Sequence, residues 1–195
     1  MTNVEQLKQL REETSAPMQE CQKALEQSQG NTEKAKELLR KWGQTLAGKK
    51  MEREVKDGIV DVYLHPNKKM GVMLELRCES DFVAKNEDFQ KLSHELCLQI
   101  AATNPLFTEV QDIPSEFVEK EKEIYRTQME DSGKDGKIIE QAVEGKWKKK
   151  QEEICLLEQP WIKDDSKRIK DILTETIAKL GENIAVRRFS RFSIR

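Results

Sequence analysis

The sequence predicts an α+β protein: a small three-helix bundle, then a core of three antiparallel strands covered by helices, with a projecting helical hairpin. Three observations carry this expectation. Apolar residues recur at helical spacing through residues 4–42. Two runs rich in β-branched residues, 58–65 and 71–78, flank the turn signal Pro66-Asn67-Lys68-Lys69. Beyond Pro114, two long charged segments meet at Gly133 and Gly136, a pattern of paired antiparallel helices.

The bundle is read first. Val4, Leu7 and Leu10 form one apolar stripe, and Met18, Cys21 and Leu25 a second, which Gly30 ends. Ser15-Ala16-Pro17 is the turn between them, with Pro17 expected at the first helical position because it has no N–H to leave unpaired. Asn31 caps a third helix carrying Ala35, Leu38, Leu39 and Trp42, expected to stop at Gly43. Residues 1–47 thus make a module, and the charged stretch 48–57 a linker, helical in part.

Residues 58–195 make the core domain, including the helical hairpin 114–153. Strands at Gly58–His65 and Gly71–Cys78 form a β-hairpin. The following helix covers it with Phe89, Leu92, Leu96 and Ile100, spaced by three and four. Ile113-Pro114-Ser115 opens another helix, with Phe117, Val118, Ile124 and Tyr125 along a thin seam, and Lys137–Glu153 is its partner. Ile154–Trp161 is expected to be extended, Ser166–Leu180 helical and closed by Gly181, and Ile184–Ile194 the third strand.

Composition limits the function. The 34 basic residues nearly balance the 36 acidic ones, leaving a formal charge of −2. Leu, Ile, Val and Phe make up about 24% of the chain, above the roughly 20% below which a highly charged chain stays disordered. The mean hydropathy of −0.77 implies a surface-rich fold. No run approaches the roughly 18 apolar residues of a membrane span, and the first helix, beginning at Asn3, leaves no room for a transit peptide. A cytoplasmic protein without membrane contact is the expectation.

Cys21, Cys78, Cys97 and Cys155 are widely spaced and read as buried thiols, neither a disulfide framework nor a zinc site. His65 and His94 lack metal-ligand spacing, with His94 read as a helix-surface residue. No glycine-rich phosphate loop, nucleophile elbow or cysteine–histidine pair is present. The sequence therefore implies no cofactor, no metal and no enzyme.

Two kinds of contact remain. Arg187, Arg188, Arg191 and Arg195 share the terminal strand with Phe189 and Phe192, as in an RNA-reading sheet. The acidic pI of about 5.9 argues against direct nucleic-acid binding, and the two phenylalanines read more simply as core. The other contact is Glu79-Ser80-Asp81-Phe82-Val83-Ala84-Lys85-Asn86. Ser80 can cap the next helix, with Asp81 in its first turn. Phe82 precedes Phe89 by seven residues, nearly the same helical face, so spacing alone makes it a core residue. The alternative is an Asp-Phe pair presented at the tip between sheet and helix, available to a protein partner.

Ser80-Asp81-Phe82-Val83-Ala84, with Cys78 before it and Lys85-Asn86 after, resembles the Thr-Asp-Phe-Val-Ala signature of the elongation factor Ts family. Leu10–Met18, Cys21–Leu25, Leu157–Trp161, Leu180–Ile184 and Val186–Phe189 are similarly characteristic, so the resemblance covers nearly the whole chain. It implies that residues 1–47 are a ubiquitin-associated-like module. It also implies a guanine-nucleotide exchange factor that binds elongation factor Tu and promotes GDP release, so that GTP can reload during translation elongation. Ser80, Asp81, Phe82 and Val83 would be the inserting segment, with Phe82 the apolar wedge, Asp81 a polar contact and the Mg/phosphate site disturbed. Arg11, Met18 and Lys23 carry over as contacts of the N-terminal module.

The chain departs from the family pattern at several places. Ser80 replaces the usual Thr and keeps the cap, Gln22 stands where a basic residue is common, and Glu54–Asp57 replaces a more alanine-rich stretch. Longer members carry two related core halves, whereas this chain has material for one, so a homodimer is implied. The ubiquitin-associated-like module leaves a ubiquitin-binding adaptor as a rival reading.

Overall fold

The structure is a computed structural model and describes residues 4–14, 16–130 and 136–194. The described residues form eight α-helices, a three-stranded antiparallel sheet and a two-stranded ribbon, the α+β class that the sequence predicts. The sheet has the order β1-β2-β5, with β1 at Asp57–Leu64, β2 at Met70–Cys78 and β5 at Ile184–Ser193. The chain divides into two compact units. One comprises Met1–Val60, Glu75–Ser93 and Asp171–Val186, the other Asp61–Leu74, His94–Lys170 and Arg187–Arg195.

In the first unit, α1 (Val4–Thr14), α2 (Met18–Gln27) and α3 (Thr32–Lys50) enclose Leu10, Cys21, Ala24, Leu25, Ala35 and Leu39. Leu7, Leu38 and Trp42 pack against this cluster, while Val4 is 64% exposed. Pro17 is the N-cap of α2 with extended ψ rather than its first helical residue. The α2 terminus closes as expected near Gly30, whose N–H reaches the Leu25 carbonyl at 2.8 Å. Asn31 caps α3, its Oδ1 accepting the Lys34 N–H at 3.0 Å.

Gly43 does not stop α3, which runs on to Lys50. A Cβ at residue 43 would lie 3.3 Å from the Ala178 Cβ, so glycine serves here for close approach to α8 (Ile169–Leu180). Helix-internal glycine costs about 1 kcal/mol relative to alanine, an amount that tertiary packing can offset. Gly181, by contrast, does close its helix, at φ +80 and with its N–H on the Ile177 carbonyl at 2.9 Å.

The second unit holds the helical hairpin, α6 (Ser115–Glu130) and α7 (Gly136–Ile154). Arg126–Glu140 at 2.7 Å and the Lys122–Glu144 pair align the helices antiparallel. Its core is Ile113, Trp147, Ile154 and Cys155, with Phe107, Phe117, Val118 and Tyr125 packed on it. Gly133, expected in the turn, lies outside the described residues.

Segment 154–161 is extended only in part. Ile154 ends α7, Leu156–Glu158 is a 3-10 turn, and β3 (Pro160–Trp161) pairs antiparallel with β4 (Asp164–Arg168). Ser166, expected to begin a helix, lies in β4, and α8 begins only at Ile169. Arg168 holds this register by pairing with Glu152 at 2.6 Å and Glu158 at 3.0 Å. Buried Gln99 donates to Gln159 Oε1 and to the Pro160 carbonyl, each at 3.1 Å, and accepts the Ile162 N–H at 3.0 Å.

All four cysteines are free and buried, and His94 is exposed, as the sequence predicts. Phe192 is not core: it is 75% exposed, and Ile194 71%. With Val62, Leu64 and Met73, all more than half exposed, these residues give the second unit an apolar surface.

Candidate protein-interaction site

Strand β2 delivers the chain into the site. Its alternating burial places Val72, Leu74, Leu76 and Cys78 inside, so the strand ends on an anchored residue. The Cys78 thiol donates to the Ser80 carbonyl at 3.1 Å. Burial, aided by the Glu182 and Asp57 carboxylates, pushes this thiol up to about 11, so it is neutral at physiological pH.

Ser80 is extended, at φ −133 and ψ 157, and caps α4 (Asp81–Ala84) by accepting the Val83 N–H at 3.4 Å. Glu182 supports it from the opposite side. One carboxylate oxygen accepts the Ser80 hydroxyl at 2.6 Å and the other its N–H at 3.0 Å.

Helix α4 has a single turn. The Lys85 N–H returns to the Asp81 carbonyl at 3.2 Å and the Asn86 N–H to the Val83 carbonyl at 2.9 Å. Asn86 then accepts the Asp88 N–H at 2.8 Å and starts α5 (Glu87–Thr103). This break changes the direction of Phe82. Phe89 on α5 is fully buried, whereas Phe82 on α4 is 79% exposed. The core placement expected from seven-residue spacing is therefore incorrect, because the two residues do not share a helix. Val83 and Ala84, each 5% exposed, fasten the turn from which Phe82 points outward.

Asp81 stands beside the ring. Its carboxylate accepts Lys85 Nζ at 2.8 Å, and the Lys85 ammonium holds the carboxyl below the usual aspartate range. Both side chains are mostly exposed, so water or a partner's polar group can replace this ion pair at small cost.

The surrounding polar network joins segments distant in sequence. Asn183, 4% exposed, donates its N–H to Glu79 Oε1 at 2.6 Å and its amide to the carbonyls of Arg53 at 2.7 Å and Met51 at 3.2 Å. Lys50 Nζ donates to the Gly181 carbonyl at 2.7 Å, and Arg53 lies 3.6 Å from Glu79. The sequence places Glu79 in the contact segment and Glu182 and Asn183 in the family-like run Leu180–Ile184, but it discloses no supporting role for them or for Lys50 and Arg53. The available signal was Gly181-Glu182-Asn183, a helix stop followed at once by an acid and an amide.

Of the other expected contact residues, Arg11 lies in the last turn of α1, Met18 begins α2 and Lys23 lies within it. All three are exposed, Met18 by 39%. In the terminal strand, Arg191 is already engaged, donating to the Ala101 carbonyl and to Asn104 Oδ1, each at 3.2 Å, where it covers the end of α5. Among the described residues, no cluster of three or more His, Cys, Asp or Glu could hold a metal ion. No helix of these residues is long and apolar enough to cross a membrane.

The family model described as Elongation factor TS matches residues 3–176. A protein named elongation factor Ts from Thermodesulfovibrio yellowstonii is 53% identical over 188 residues, 96% of this chain and 94% of the relative. Elongation factor Ts from Thermosipho melanesiensis is 48% identical over 194 residues, 100% and 99% of the two chains. That of Coprothermobacter proteolyticus is 50% identical over 188 residues, 96% and 95%. These matches span nearly the full length of each relative, so the chain and these relatives are of similar length.

Proposed function

The chain belongs to the elongation factor Ts family, and from that premise we propose that it is a guanine-nucleotide exchange factor for elongation factor Tu. The carrying observation is the Phe82 ring, 79% exposed on a one-turn helix anchored by Val83, Ala84 and Ser80. An apolar ring on a fixed base can enter a partner with little ordering entropy to lose. Asp81 accompanies it as the polar contact. Insertion shifts the elements around the bound Mg ion and phosphates of the GTPase, and GDP leaves. The protein itself makes and breaks no covalent bond.

Exchange requires a difference in affinity. The factor must bind nucleotide-free elongation factor Tu more tightly than the GDP form, and by linkage GDP weakens the factor by the same ratio. Arg11, Met18 and Lys23 supply a second contact through residues 1–47, a ubiquitin-associated-like module joined by linker 48–57 to the core domain 58–195. A second copy of the chain supplies the other core half, meeting the first through the apolar surface of Val62, Leu64, Met73, Phe192 and Ile194. The site of action is the cytoplasm, without membrane or nucleic-acid contact. Use of Arg191 to cap α5 supports a structural role for that basic strand.

The test is GDP release. Substoichiometric protein is expected to accelerate loss of a fluorescent GDP analogue from elongation factor Tu in excess unlabelled nucleotide. An unchanged release rate at saturating factor would overturn the proposal.

A further inference from the structure

We propose that Glu182 is the positioning residue of the exchange wedge, holding Ser80 so that Phe82 keeps its outward direction. The inference rests on the exchange reading above and goes beyond it, because Glu182 lies 102 residues from Ser80 in the chain.

The chemistry of the serine hydroxyl carries the argument. A hydroxyl has one proton to donate and two lone pairs to accept with. Ser80 spends its proton on Glu182 Oε1 at 2.6 Å, which leaves its lone pairs free for the Val83 N–H at 3.4 Å. The Ser80 N–H, donated to Glu182 Oε2 at 3.0 Å, fixes the backbone at the same residue. One carboxylate therefore sets both the side chain and the main chain of the α4 cap. With only one turn, α4 has no further helix to correct its direction if the cap turns.

Glu182 is itself held. Gly181 before it takes Lys50 on its carbonyl, and Asn183 after it binds Glu79, Arg53 and Met51. Lys50 is the last residue of α3, the helix that completes the N-terminal bundle. The brace thus ties the wedge to the C-terminal end of α3, the helix that runs on from the module carrying Arg11, Met18 and Lys23. Within this unit, binding through the module presents a wedge already oriented, so less freedom is lost when it inserts.

The test measures GDP release from elongation factor Tu across factor concentrations, separating the maximal rate from the half-saturating concentration. For Glu182→Ala, losing two hydrogen bonds to a charged group is expected to lower the maximal rate by about tenfold, with half-saturation moved less than about twofold. Glu182→Gln keeps an acceptor for the Ser80 N–H and a donor toward Oγ, and is expected to restore most of the rate. Adding Glu182→Ala to Phe82→Ala is expected to cost little beyond Phe82→Ala alone, since both act through the ring. Hydrogen exchange of the free protein should speed up at Ser80–Lys85 and stay unchanged within α5. If Glu182→Ala folds poorly, Ser80→Ala removes only the hydroxyl and should lower the maximal rate in the same sense. Full additivity with Phe82→Ala, an effect confined to half-saturation, or unchanged exchange at Ser80–Lys85 would each overturn the role of Glu182. A wild-type rate for Phe82→Ala would instead overturn the wedge reading, and hydrogen exchange would still decide whether Glu182 braces the turn.

Discussion

Replacing Phe82 by alanine separates binding from folding at one residue. In the free protein the ring is 79% exposed, so its removal should change folding stability by no more than about 0.5 kcal/mol, the usual range for surface substitutions. In the proposed complex the same ring would be buried. Full burial of a phenylalanine contributes about 1.5 to 3 kcal/mol. Scaled by the 79% still available, this becomes about 1.2 to 2.4 kcal/mol, or roughly an 8- to 60-fold slower maximal GDP release. A 10⁴-fold acceleration would need a differential of about 5.5 kcal/mol, of which the proposed wedge would supply less than half. The variant should therefore remain partly active and bind through its other contacts. The assay is stopped-flow release of a fluorescent GDP analogue from elongation factor Tu, paired with a thermal melt of the free factor. An unchanged maximal rate would refute the wedge, and a large loss of thermal stability would refute the exposed placement of the ring.

Further predictions concern the rest of the fold. Glu13 and Lys36 join α1 to α3 at 2.7 Å, with the Glu13 carboxyl held below 4.5 by Lys36 and the Lys36 ammonium raised to about 12 by Glu13. The Glu13 contribution is present above pH 4.5 and lost as pH falls through the lowered value, whereas that of Lys36 is complete below 10.5 and lost on rising through about 12. An NMR titration of Lys36→Met should return Glu13 toward 4.5, and an unmoved titration would contradict the pairing. Gly181→Ala should destabilise the protein by about 1 kcal/mol in urea unfolding, because φ there is +80. If the protein forms the proposed dimer, Phe192→Asp should shift it to monomer in light scattering, and a parent protein that is monomeric at every concentration would exclude that dimer.

The elements that the sequence disclosed were those with a local cause. Asn31 and Ser80 each accept an N–H three residues ahead, so their caps could be read without knowing any distant neighbour. The β-branched and apolar runs on either side of Pro66–Lys69 likewise disclosed β1 and β2 as a hairpin, whereas the burial of Val72, Leu74, Leu76 and Cys78 on one face of β2 is seen in the structure. Errors arose where a distant neighbour decides. Position 43 is glycine because it faces Ala178 of α8, not because it ends α3, and Ser166 lies in β4, where Arg168 is held by Glu152 and Glu158. Spacing alone places Phe82 in the core, but Asn86 starts a new helix between it and Phe89, and the ring is exposed. Family resemblance points to Asp81 and Phe82 as candidates, but the hydrogen bonds of Glu182 and Asn183 to Ser80 and Glu79 span more than 100 residues and carry no local periodicity.

The buried thiols have a practical consequence. Cys97 is raised by burial to about 12 and Cys155 to about 11, and Cys21 is raised in the same way. Maleimides and iodoacetamides react with the thiolate, so the folded protein offers them almost nothing near neutral pH. The natural chain can thus serve as its own labelling background. A single cysteine introduced at an exposed position such as Lys23 or Ile138 should take a fluorophore selectively, without prior removal of the four native residues.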